Sequence, residues 1–206
     1  MTARPPERSA NETAFRFTRA GMGAGLPPGL AEDLGRVAKH LHTEGHDPDR
    51  VLAAALRVYA EDRSTGRLRL EAGDGESALH ADEGDREVSV LFAGPVLADW
   101  LRGGFPEGPV RLRLMGLDVP ALAPVYALAL APDRREWGWR RDDGKENHLI
   151  VERRPGGDRP SLPSPLPGDD PVRAAALVDR FFQRSLVPAS AQSRAEGAGA
   201  GLVDRD

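Results

Sequence analysis

The sequence predicts an α+β fold, with an N-terminal three-helix subdomain followed by a mixed sheet that has two or three helices packed on it. Apolar residues recur with a helical period up to residue 62, and from residue 67 they alternate as half-buried strands do. Two strand-to-helix segments punctuated by glycine and proline then follow. These patterns divide the chain into a helical subdomain at 9–62, a mixed β–α region at 67–154 and a proline-rich connector at 155–170. A C-terminal helix with a glycine-rich tail occupies 171–206. The whole is expected to form one compact unit, with residues 1–8 disordered.

The elements follow in order. Ser9-Ala-Asn-Glu12 fits a capping box, in which the serine caps the first turn and the glutamate reaches back to its amide. The helix it starts carries Phe15 and Met22 seven apart and runs out in Gly21, Gly23 and Gly25. Pro27-Pro28 opens a second helix, where a missing N–H costs nothing. Its stripe is Leu30, Leu34, Val37, Ala38 and Leu41, and Gly45 stops it. Asp47-Pro48 starts a third, with Val51, Leu52, Leu56 and Tyr59 along one side. Arg67-Leu-Arg-Leu70 alternates as a strand, Gly73-Asp-Gly75 turns it, and a weaker strand covers 77–82. Residues 87–92 read as a strand leading through Gly94-Pro95 into a helix of Val96, Leu97, Trp100 and Leu101. Residues 110–114 do the same, through Gly116 and Pro120, into a helix at 122–130, so two short right-handed β–α units are expected. Strands at 136–141 and 148–153 flank Asp142-Asp-Gly-Lys145, a hairpin turn signal. Leu149-Ile-Val151 is apolar on both faces and belongs inside the sheet. Pro155, Pro160, Pro163, Pro165 and Pro167 make the connector extended. Asp170-Pro171 starts the last helix, with Val172, Ala176, Leu177 and Phe181 as its stripe.

Composition excludes several chemistries. A chain of 206 residues with no cysteine has no disulfide framework, thiolate nucleophile, iron–sulfur cluster or cysteine-bound zinc. The net charge of −4, and six Lys/Arg against eight Asp/Glu within 9–62, argue against a nucleic-acid partner. No run approaches the roughly 18 apolar residues of a membrane helix, and the N-terminal residues lack the apolar core of a secretory signal. A cytoplasmic protein with no membrane partner and no cofactor is expected.

His40, His42 and His46 lie close to Glu44, Asp47 and Asp49, groups that suit Zn, Ni or Mn. Their spacing is poor, because helical positions i and i+2 face different sides and Gly45 breaks the i, i+4 pair. A solvated helix end is the better reading, and no metal is expected.

Two glycine segments resemble each other. Arg19, Gly21, Gly23 and Gly25 lie in Thr18-Arg-Ala-Gly-Met-Gly-Ala-Gly-Leu26. Ser193, Arg194, Gly197 and Gly199 lie in Ser193-Arg-Ala-Glu-Gly-Ala-Gly-Ala-Gly-Leu202, with Ser190 just before it. Arginines beside glycine amides and a helix N-terminus at Pro28 could hold a carboxylate or phosphate. The alternative is a helix C-cap for the first segment and a flexible tail for the second. The first does not follow a buried strand, so it is no dinucleotide loop. Neither Ser190 nor Ser193 has a Gly-x-Ser-x-Gly surround, and the paired acids Asp82-Glu83 and Asp142-Asp143 fall in turns. Trp137 and Trp139 share one strand face with Arg141, as interface anchors or as core.

Arg19-x-Gly-x-Gly-x-Gly-Leu26, Gly29-Leu-Ala-Glu-Asp33, Pro188-Ala-Ser-x-x-Ser-Arg194 and the terminal Gly-Ala-Gly-Ala-Gly-Leu-x-Asp-x-Asp206 together resemble an uncharacterised bacterial family catalogued as a domain of unknown function. The resemblance brings no catalytic residues and implies that the tail is a structural element; Arg194 and the 197–201 strip are expected to pack back against the 19–25 turn, bringing both glycine segments to one site. The function expected first is a soluble non-catalytic binding or accessory protein of a bacterial metabolic pathway, as a homo-oligomer or with a protein partner. The alternative is a binding protein or enzyme for a small anionic ligand, held by the arginines and glycine amides. A transcriptional regulator ranks last on charge.

Overall fold

Capping chemistry and apolar spacing agree over the first three helices, and they form where both point. The computed structural model describes residues 8–73, 75–82, 86–103, 111–133, 136–142, 144–153 and 160–186. Helix α1 (Ala10–Gly23) begins on the expected capping box: Glu12 donates its amide to Ser9 Oγ at 3.2 Å, and Ser9 donates its own to the Glu12 carboxylate at 2.8 Å. Helices α2 (Pro28–Thr43) and α3 (Pro48–Ala60) both carry proline in their first turn, and Asp47 caps α3 by accepting from the Asp49 amide at 3.0 Å. The expectation of disorder at residues 1–8 lies outside the described residues, apart from the exposed Arg8.

The buried face of α1 differs from the expected one. Phe15 is 60% exposed, whereas Thr13, Arg16, Phe17, Ala20 and Gly21 are buried. Two features turn the helix this way: Arg16 finds carboxylate partners inside, and glycine allows close approach to neighbouring helices. Of the expected α2 stripe, Leu34, Val37, Ala38 and Leu41 are buried, while Leu30 in the first turn is only half-buried. A buried leucine side chain contributes about 1.5–3 kcal/mol relative to an exposed one, so this stripe fixes the rotation of α2.

After α3 the chain forms β1 (Ser64–Thr65), β2 (Leu68–Ala72), β3 (Glu76–Ala81) and β4 (Glu87–Val88). Helix α4 (Val90–Arg102) leads to β5 (Arg111–Leu114), and α5 (Leu122–Leu130) precedes β6 (Trp137–Asp142) and β7 (Lys145–Arg153). Helix α6 (Pro171–Ser185) follows the proline-rich connector. Strands β1 and β4 pair in parallel as a small separate ladder. The main sheet is mixed, in the order β2-β3-β5-β7-β6, with only β3 and β5 parallel. Helix α4 therefore lies on the crossover between two parallel neighbours. Helix α5 instead leads to β6, at the far edge beyond β7. Strand β7 is interior, and Leu149, Ile150 and Val151 are all buried, as the doubly apolar run predicts. The β6–β7 turn holds Gly144 at φ 83°, a left-handed conformation that glycine adopts without a Cβ penalty.

Two expectations need correction. The strand expected at 87–92 is extended only over Glu87–Val88, and Val90–Pro95 already belongs to α4. Apolar residues on all sides of this segment read as a buried strand but suit a buried helix equally. Asp118 decides the matter by accepting from the Val90 amide at 2.9 Å, which caps the helix start. On α6 the buried residues are Ala174, Val178 and Phe181, while Val172 is 77% exposed and Ala176 is exposed. Helix α6 packs on α1 and α3 and so completes the helical layer.

A single cluster of buried side chains runs from Phe17 and Leu34, through Leu91, Leu97 and Val125, to Leu112, Leu149 and Trp137. The described part of the connector lies on it through Leu162 and Leu166. Asp169 ties its end to α3, donating its amide to the Arg50 carbonyl at 3.1 Å and pairing with Arg57 at 3.2 Å.

Candidate functional site

The first glycine segment sits where α1, α2 and α6 meet, and each of its residues has a distinct job there. A methyl group at Gly21 would press on Ala31 and Leu34 of α2, at 3.1 and 3.2 Å. From the other side, a methyl at Gly35 would overlap Thr18 Oγ1 and the Ala14 carbonyl. The two glycines thus let α1 and α2 approach at two points. At Gly23 a methyl would overlap the Phe181 carbonyl oxygen, so this position admits the backbone of α6. Gly25 has φ 97° and no neighbour, and its role is to reverse the chain. The Gly25 amide donates to the Met22 carbonyl and the Leu26 amide to the Gly21 carbonyl, both at 3.0 Å, and Leu26 is buried beneath the turn. Because the Ala24 amide also donates to Ala20 and Gly21, the amides that could have formed an anion nest bond to helix carbonyls.

Arg19 closes the junction. Its Nη2 donates to the Ser185 carbonyl at 2.7 Å, bonding one of the carbonyls that the end of α6 leaves without a helical partner. Its Nε is buried with no hydrogen-bond partner among the described residues. The last described residue, Leu186, is next to this contact. Ser190, Ser193, Arg194, Gly197 and Gly199 lie outside the described residues.

A second constellation, one turn earlier on α1, was not expected from the sequence. Arg16 is buried, and its guanidinium joins three helices. Nη1 donates to Asp49 Oδ1 on α3, while Nε and Nη2 donate to Asp179 Oδ1 on α6 at 3.0 and 2.8 Å. Nη2 also reaches the Ala175 carbonyl at 3.3 Å. Arg8 approaches the other oxygen of Asp49 at 3.7 Å. A buried charge must be paired, and here the pairing fixes how α1, α3 and α6 dock. No spacing rule links Arg16 to Asp179 across 163 residues, so only the fold reveals it.

The histidines separate. His40 and His46, with Glu44, face a cavity of about 480 Å³ whose apolar side is Leu128, Leu162 and Leu166. His42 is not among its lining residues. No group of three or more His, Asp or Glu side chains among the described residues is placed to hold a metal. Trp137 is buried in the core, and the half-buried Trp139 donates from Nε1 to the Ser161 carbonyl at 3.4 Å. The Trp strand is thus core and a support for the connector.

Two other titratable groups are shifted by their surroundings. Burial pushes the Asp118 carboxyl up, and the Val90 and Val119 amides that it accepts offset part of the rise. Burial pushes the His148 imidazole down, with Lys145 and Arg113 adding to the effect and Asp142 opposing it.

Residues 8–72 match the model of a family described as "Protein of unknown function (DUF3726)". The matched region holds α1, α2, α3 and the first two strands, and with them Arg16, Arg19, Gly21, Gly23, Gly25, Gly35 and Asp49. The N-terminal half of the resemblance read from the sequence falls inside it, and the 188–206 motif falls beyond. No curated protein and no solved structure matches the chain. Among the described residues no helix is long and apolar enough to cross a membrane.

Proposed function

We propose that the protein is a non-catalytic binding or accessory protein that associates with a second copy of itself through the outer face of α1 and α6. One observation carries this reading: Phe15 stands 60% exposed on α1 with its ring edge-on to Phe182 of α6, at 6.2 Å between centroids. Leu186, 41% exposed, follows one turn after Phe182. Aromatic side chains are typical interface anchors, and exposed apolar groups that gather on one face mark contact surfaces. The glycine and arginine motif lies directly beneath and holds α1 against α6, so it shapes this face. Sedimentation velocity over a range of concentrations tests the reading. The expected result is a dimer that Phe15→Glu dissociates without changing the far-UV circular dichroism. A wild-type chain that stays monomeric at high micromolar concentration would sink it.

A second reading keeps a small anionic ligand at the same junction. It is favoured by the buried Arg19 Nε, which lacks an acceptor among the described residues, beside the Ser185 carbonyl that the same guanidinium holds at the end of α6. With the nearby amides engaged in the helix cap, Arg19 and the second segment would have to supply the binding groups. A thermal-shift series with phosphate and citrate separates the readings. Stabilisation that Arg19→Gln abolishes supports the ligand; its absence leaves the first reading alone.

A further inference from the structure

We infer that the cavity between α2, α4 and the chain linking β1 to β2 binds a small organic cation with an apolar body. The cavity is an open cleft of about 610 Å³. Leu30 of α2, Leu68 of β2, and Phe92 and Val96 of α4 give it an apolar wall. The aromatic group is placed there by a local device: a methyl group at Gly66 would overlap the Phe92 ring, so only glycine lets that ring occupy this position. The Tyr59 ring packs against it, at 5.5 Å between centroids. Aromatic faces attract organic cations through the ring quadrupole.

The charges in the lining have one predominant sign. Glu32 and Asp33 from α2 and Asp99 from α4 face Arg36 as the one cation of the lining. Arg36 pairs with Asp33 at 3.1 Å, and Arg102, just outside, pairs with Asp99 at 2.8 Å. Glu32 has no ion-pair partner among the described residues. Burial pushes the Asp33 carboxyl up; the like charges of Asp99 and Glu32 add to the rise, and Arg36 and Arg102 offset part of it. The negative field also reaches inward, because the Asp33 charge is among those that push up the buried Tyr126 hydroxyl, after burial itself. A bound ammonium or guanidinium group would relieve this repulsion while its apolar part covered Phe92 and Leu68. An anion would increase it, and a neutral molecule would gain only the apolar contact.

The test uses the full chain and three probes of one shape: 2-phenylethylammonium, 2-phenylethanol and phenylacetate, titrated by calorimetry and amide chemical shifts at low salt. The cation is expected to bind at least about tenfold more tightly than either other probe, to shift amides of α2 and α4, and to weaken as salt screens the carboxylates. The Asp33→Asn/Asp99→Asn variant is expected to lose about tenfold in cation affinity and to keep its affinity for the alcohol. Glu32→Gln, at an exposed position outside both ion pairs, repeats the test with little risk to folding and is expected to weaken the cation severalfold. Equal binding of the three probes, no cation binding at millimolar concentration, or unchanged cation affinity in the Glu32→Gln protein would each overturn the inference.

Discussion

Arg19 Nη2 and the Ser185 carbonyl oxygen lie 2.7 Å apart, a hydrogen bond between the C-terminal turns of the first and last helices. Gly23 is in the same contact, where a Cβ would overlap the Phe181 carbonyl of the α6 backbone. The motif Arg19-x-Gly-x-Gly-x-Gly is therefore a docking device, and each of its conspicuous residues makes a separate structural contribution.

The glycines should differ sharply when each is changed to alanine. Gly23→Ala and Gly35→Ala place a methyl against a carbonyl oxygen, an overpacking that costs typically about 1–3 kcal/mol. Gly25→Ala has open space but a φ of 97°, so the cost is conformational, about 1 kcal/mol. Gly29→Ala meets nothing within 4 Å in the first turn of α2 and should be neutral or slightly stabilising. Urea denaturation of the four variants measures the order. A Gly23→Ala protein as stable as wild type would contradict the close approach of α6.

Arg16 predicts an asymmetry between its two acids. Asp49 is 12% exposed at its side chain and Asp179 is 56% exposed. Removing the more buried partner leaves a buried charge half-compensated, a loss of about 3–5 kcal/mol for breaking such a pair. Removing the exposed one should cost about 1 kcal/mol or less. Comparing Asp49→Ala with Asp179→Ala by thermal and chemical denaturation decides the matter; equal losses would contradict the assigned burial.

Asp118 and His148 should make stability respond to acid in opposite directions. The Asp118 carboxyl has a raised folded pKa, so its ionisation opposes folding at neutral pH, and the fold gains as pH falls from that raised value towards the ordinary carboxylate range. Asp118→Asn keeps an oxygen for the Val90 and Val119 amides and removes the charge. It should be at least as stable as wild type at pH 8, and its advantage should shrink on acidification. His148 has a lowered folded pKa, so the unfolded chain takes up its proton first, and stability falls as pH drops below the ordinary imidazole value of 6.5. His148→Gln should remove that loss. Stability measured from pH 8 to pH 5 for both variants provides the check.

The histidine cavity should not respond to metals. With no group of three suitable side chains among the described residues, Zn²⁺ or Ni²⁺ at modest excess is expected to leave the melting temperature of the full chain unchanged. A metal-dependent rise that His40→Ala and His46→Ala remove would reverse this conclusion.

Local signals in the sequence located most elements. The Ser9–Glu12 capping box, the α2 stripe, the Asp142–Lys145 turn and the buried Leu149–Val151 run each depend on neighbours within a few residues, and each matches the structure. The failures share a different cause. The Phe15–Met22 spacing pointed to a face other than the one α1 buries, and nothing near Arg16 marked it as buried, because the carboxylates that accommodate it lie 33 and 163 residues away. Val90–Pro95 looked extended, since an all-apolar segment carries no period and its cap, Asp118, arrives 28 residues later. The glycine segment was visible as a motif, yet its meaning depended on α6, whose buried face the sequence pattern misjudged.

The long reach of Arg16 also bears on how the chain is made. When the region of residues 8–72 first emerges from a ribosome, Arg16 has Asp49 within the segment but not Asp179, and Gly23 has no α6 backbone to receive. At roughly 5–20 residues per second, the stretch from residue 72 to Asp179 takes about five to twenty seconds to follow. For that interval Arg16 and Gly23 lack the partners that α6 supplies. Shielding of that segment by a chaperone, or a pause in translation before α6, would bear directly on how much of the protein reaches its native state.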